Sequence, residues 1–112
     1  MKISVISNGN KIVFELNNSE ASKELISQLP LNIEVEDYAS KEKIFYLSKK
    51  LSISNTSMAN SKKGTLAYYE PWGNVVMFYR DFGKASGLYE LGKCMEGCEF
   101  IENLQGLINI KI

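Results

Sequence analysis

Few residues of this chain have side chains that do chemistry, and their types narrow the field at once. The 112 residues include no histidine, two cysteines and a single arginine, Arg80. Without an imidazole there is no Ser-His or Cys-His nucleophile pair, no histidine-ligated zinc and no histidine-ligated haem. Arg80 follows an apolar run and precedes Asp81. Its guanidinium would clamp a carboxylate or phosphate through two parallel hydrogen bonds; the plainer expectation is a solvated strand end, paired with Asp81 or another acid. Cys94 and Cys98 are four residues apart. Two thiols do not fill the four positions of a structural zinc site, and nothing indicates an oxidising compartment. They are expected as free thiols around a tight turn, and no metal or cofactor is expected. Glu34 and Glu36 share one strand face, where hydrolytic chemistry would need two carboxylates converging in a cleft. A solvated outer face accounts for them.

Aromatic residues offer binding rather than catalysis. Trp72 sits between Pro71 and Gly73, in a turn where no core residue is required. It is either an exposed recognition or self-association platform or a lid folded over one end of the molecule. Tyr68, Tyr69, Tyr79 and Tyr89 fall at strand spacing and read as sheet packing with hydroxyls at the rim. Thirteen basic residues balance thirteen acidic ones. That removes the phosphate-neutralising surface of a nucleic-acid binder and a basic membrane patch.

The elements that position these residues are short. Lys2–Ser7 and Lys11–Leu16 alternate in polarity around Asn8-Gly9, the pair that a type I′ hairpin favours. Asn17, Asn18 and Ser19 can each cap a helix, and Asn17 stands three residues before Glu20. Ala21, Leu25 and Leu29, with Ile26, make its one apolar stripe, and Pro30 ends it. Residues 31–36 and 44–47 are strands, with a polar turn over 37–41. Residues 48–64 form a loop longer than compact domains usually carry, pinned through Leu51, Ile53 and Met58. Further strands are expected over 65–69, 75–79, 88–93 and 107–112. A short helix over 98–105 would turn Phe100, Ile101 and Leu104 inward, with Gly106 at its end. Eight short strands with no βαβ alternation predict one mostly-β domain over residues 1–112, a sandwich or closed barrel, and a plugging helix favours the barrel. No segment approaches the roughly 18 apolar residues of a membrane span. The chain opens directly into a strand pattern, so a cytoplasmic location is expected.

The run Gly64-Thr65-Leu66-Ala67-Tyr68-Tyr69-Glu70-Pro71-Trp72-Gly73-Asn74-Val75-Val76-Met77-Phe78-Tyr79, with Leu91-Gly92-Lys93 beyond it, resembles a small bacterial cyclophilin-like family whose members are mostly of uncharacterised function. The likeness extends over nearly the whole chain. It implies a closed eight-stranded β-barrel with one or two short capping helices. Cyclophilins isomerise X-Pro bonds, a step with a barrier of about 18–20 kcal/mol, using an arginine near the prolyl nitrogen beside an apolar pocket. That arginine would precede Gly64, where residues 48–63 offer only lysines, which lack the planar fork. The resemblance also puts Leu88 where the pocket histidine would stand, and Gly83, beside Phe82, where the pocket tryptophan would.

The resemblance also matches Met77-Phe78-Tyr79 to the strand that lines the proline pocket, and an apolar wall kept without the polar machinery implies a non-catalytic binding module. Its groove is expected to comprise Met77, Phe78, Phe82, Trp72 and Arg80 and to take a peptide or a small molecule. A divergent prolyl isomerase is one alternative. Another is a homo-oligomer or partner-protein contact made through Trp72 and an uncovered strand edge.

Overall fold

A computed structural model describes residues 1–112. Eight antiparallel strands close into a barrel: β1 (Lys2–Ser7), β2 (Asn10–Leu16), β3 (Leu31–Tyr38), β4 (Glu42–Tyr46), β5 (Thr65–Tyr69), β6 (Asn74–Phe78), β7 (Leu88–Glu96) and β8 (Gly106–Lys111). Their order around the wall is β1-β2-β7-β5-β6-β4-β3-β8, and β8 returns to β1. Closure pairs every strand on both sides, so the uncovered edge expected for self-association does not exist. At the β1–β2 turn, Asn8 and Gly9 both have positive φ (50° and 80°), as the type I′ geometry requires.

Alternation along each strand divides two apolar layers. Inward residues such as Ile3, Phe14, Val75, Met77 and Leu91 form the main core. Outward residues of β4, β5, β6 and β7 form a second, smaller cluster with Ala59 of the long loop: Ile44, Ala67, Val76, Phe78 and Leu88. This outer layer explains why β6 is apolar at successive positions and buried throughout.

One helix, α1 (Glu20–Ser27), closes one end of the barrel with Ala21 and Leu25. It is shorter than the stripe suggested, and its cap is Ser19, whose side chain accepts from the Ser22 amide. Asn17 instead ties the helix to the wall. Its Nδ2 donates to the Glu90 carbonyl, and its Oδ1 accepts from the hydroxyls of Ser19 and Ser22. A 3-10 helix (Cys98–Asn103) covers the other end with Ile101; Phe100 is half-buried and Gly106 already begins β8.

Cys94 and Cys98 are joined in a disulfide, against the expectation of free thiols. That expectation rested on compartment, but local geometry decides the pairing. Gly97 turns the chain with a φ of 69°, which brings the two Cα atoms to 5.9 Å, inside the range a disulfide spans.

Leu51 and Ile53 pin the long loop to the core as expected, and Met58 does not. Leu51 is buried and its amide donates to the Tyr68 hydroxyl, so that tyrosine lies in the core rather than at the rim. Met58 is exposed, whereas Ala59 and Ser61 are buried and bond to the backbone of Leu88 and Gly83. No helix is long and apolar enough to cross a membrane.

Candidate functional site

The outer apolar layer is incompletely covered, and the gap is a cleft of about 300 Å³. Its floor is the outward face of β6, with Phe78 at one end and Asn74 at the other. One wall is Trp72, in the β5–β6 turn. Its indole meets Tyr38 at the end of β3 and Tyr69 at the end of β5 edge-on, with ring centroids 5.5 and 5.3 Å away. The opposite wall comes from the β6–β7 connection, where Phe82 lies 5.4 Å from Phe78; Ala85 and Leu88 complete it. Glu42, at the start of β4, is the one charged residue in the lining.

Backbone geometry sets these walls. Gly87, with a φ of 85°, passes so close to Pro71 that a Cβ there would clash with the ring. Its carbonyl accepts from the Glu70 amide, which seats the Trp72 turn beside the β6–β7 connection. On the other wall, the Ser61 carbonyl accepts from the amides of Phe82 and Gly83, so the long loop holds Phe82 over Phe78. Trp72 is 48% and Phe82 44% exposed. Trp72 therefore stands on the outer face and is not a lid over a barrel end.

Of the five residues expected in a groove, Trp72, Phe78 and Phe82 meet in this cleft. Met77 does not. It is fully buried among the inward residues of the barrel, because neighbouring strand residues point to opposite faces and Phe78 takes the outer one. Arg80 does not line the cleft either, nor does it pair with an acid. Its Nε donates to the Ser40 carbonyl at 3.1 Å and its guanidinium lies over the Tyr79 ring. Asp81 is engaged elsewhere, accepting from the Lys63 amide. Leu88, at the position implied for a pocket histidine, does line the cleft.

Tyr38, Glu42 and Asn74 were not singled out by the sequence. The stretch 37–41 reads as a polar turn, yet β3 continues to Tyr38 and β4 starts at Glu42, opposite each other in the ladder. Only residues 39–41 turn, with Ala39 and Ser40 at positive φ. The signal was the alternation of β3, which carries Tyr38 past the acidic residues.

Two polar features mark the cleft. The Asn74 side chain is buried and its Oδ1 has no hydrogen-bond donor, where buried polar atoms are normally satisfied. The Glu42 carboxyl is held above its ordinary value, chiefly by burial and then by the neighbouring Asp37 charge, against the opposing effect of Lys41.

A separate polar group sits behind the turn. Tyr79 donates its hydroxyl to Asp37, and the Lys43 ammonium lies 3.3 Å from the same carboxylate. The Tyr79 bond, followed by Lys43, holds Asp37 below the usual carboxylate range despite desolvation. Burial, then Asp37, pushes Tyr79 up to about 12. A phenol held in its neutral form is a hydrogen-bond donor, not a base, so this group braces the barrel end.

Comparison with known proteins places the fold. The model of a family described as the cyclophilin-like family matches residues 5–112. The solution structure of the hypothetical protein AF2241 from Archaeoglobus fulgidus superposes with a TM-score of 0.72 at 15% identity, covering 99% of this chain and 93% of that one. No curated protein matches the sequence.

Proposed function

The chain belongs to the cyclophilin-like family, and we propose that its barrel is a non-catalytic binding module whose outer cleft takes a small molecule or a peptide side chain. The observation that carries this reading is the pair of half-exposed rings, Trp72 and Phe82, standing on either side of the buried Phe78. Exposed rings cost solvation unless something covers them, and apolar clefts with a few polar groups are the usual form of ligand sites. The polar groups in the lining, Glu42 and Asn74, suit recognition. The chain's single guanidinium is occupied at the Ser40 carbonyl, away from any substrate in the cleft.

Amide chemical-shift mapping with small aromatic and prolyl compounds tests this. Shifts are expected to cluster at Trp72, Phe78, Phe82 and Leu88. Absence of any shift there would remove the reading. Exchange spectroscopy on X-Pro peptides is expected to show no acceleration; acceleration that disappears in Phe78→Ala would make the cleft an isomerase site instead.

A further inference from the structure

Resting on the binding-module reading, we infer that the cleft selects a small elongated amine, with an ammonium at the Glu42 end, an apolar or aromatic body over β6, and a neutral hydroxyl at the Asn74 end. The two ends are fixed by strand register. Glu42 stands opposite Phe78 in the β4–β6 ladder, at the far end of β6 from Asn74. Four residues of strand separate those ends by about 13 Å between Cα atoms. One ammonium does not serve both ends, so they call for a ligand with polar groups at opposite ends of an apolar body.

The charge preference follows from the lining. Glu42 is the only charged residue in it, and a carboxylate accepts hydrogen bonds without donating any. Tyr38, Trp72, Phe78 and Phe82 share the lining with it, and an aromatic face attracts a cation. Desolvation already presses on the Glu42 carboxyl, and an ammonium beside it offsets that cost.

The preference for a hydroxyl comes from Asn74. Its Oδ1 is buried without a partner, and leaving such an acceptor unmade is costly. A half-turn of the carboxamide exchanges Oδ1 and Nδ2 at little change in shape, and a ligand hydroxyl, which both donates and accepts, meets either group.

Three probes of one skeleton separate these claims: tyramine, which has both ends; tyrosol, in which a neutral hydroxyl replaces the ammonium; and phenethylamine, which lacks the phenolic donor. Affinities are read by amide shifts and Trp72 fluorescence at neutral pH. Tyramine is expected to bind about tenfold tighter than tyrosol and several-fold tighter than phenethylamine. Glu42→Gln is expected to abolish the first preference while tyrosol binds unchanged. If tyrosol binds the native protein as tightly as tyramine, the ammonium assignment is overturned while the binding module stands. If phenethylamine equals tyramine, the hydroxyl contact at Asn74 is overturned. If none of the three shifts a cleft resonance, while prolyl or other aromatic compounds do, only this inference falls; if nothing does, both readings fall.

Discussion

Phe78 and Phe82 touch each other but answer to different demands. Phe78 is 1% exposed and packs in the outer apolar layer, so Phe78→Ala opens a hole in the wall. The expected loss is about 3–5 kcal/mol, read as a lower denaturation midpoint. Phe82 is nearly half exposed, and Phe82→Ala is expected to leave that midpoint within about 1 kcal/mol of the native protein while removing ligand-induced shifts at Trp72. A large stability loss in the second variant would mean that Phe82 serves the core. The Asp37–Tyr79 bond gives a pH signature with two limbs. Asp37 is held low, so its contribution is in place above the ordinary carboxylate value and is lost as pH falls below about 4. Tyr79 is held high, so its contribution is in place below its ordinary value of 10.0 and is lost as pH rises toward about 12. In Tyr79→Phe both the acid decline of the thermal midpoint below about 4 and the alkaline decline between about 10 and 12 are expected to shrink. Identical profiles would show the bond absent in solution. Much at this scale was legible: Trp72 in its Pro-Gly turn and Phe82 in its Gly-rich connection stand out as rings that no core requires. Met77 was misplaced where alternation alone would have excluded it, since it precedes Phe78 on one strand. Arg80 was misread because its partner is a backbone carbonyl forty residues away, which no local pattern announces.

Strand pairing is tightest where β2 meets β7. A Cβ added at Gly92 would overlap the Glu15 carbonyl oxygen and crowd Leu16, next to the irregular register between these strands. Gly92→Ala is therefore expected to destabilise the barrel by at least about 2 kcal/mol, and amide exchange should quicken first along β2 and β7. Unchanged exchange would mean that the two backbones leave room for a Cβ at Gly92. Elements with a strong local signature were readable in advance: the Asn8-Gly9 hairpin, the α1 stripe and β6. Boundaries failed where polarity and pairing disagree. Asp37 is polar, yet its strand continues because Tyr38 and Glu42 pair across a three-residue turn. The polar ends of the cleft were illegible for the same reason. Glu42 and Asn74 are thirty-two residues apart and share a face only through the β4–β6 register.

For the molecule as a whole, closure is the governing fact. With no strand edge to offer, the barrel presents its outer apolar layer as the remaining adhesive surface, and Trp72 and Phe82 frame the gap in it. The disulfide is a local clip on this barrel. It closes a loop of only four residues, so reduction is expected to cost about 2 kcal/mol and to leave the shift pattern of the cleft unchanged. Alkylation of the native protein without reductant should label neither cysteine; labelling of both would refute the bond. The central claim is that the cleft between Trp72 and Phe82 is where this protein binds. The most direct measurement is amide chemical-shift mapping of the native protein and Phe82→Ala against the same small aromatic compounds. Shifts confined to Trp72, Phe78, Phe82 and Leu88 in the native protein, and lost in the variant, are the predicted result. Shifts that persist in Phe82→Ala, or that fall on another face of the barrel, would contradict it.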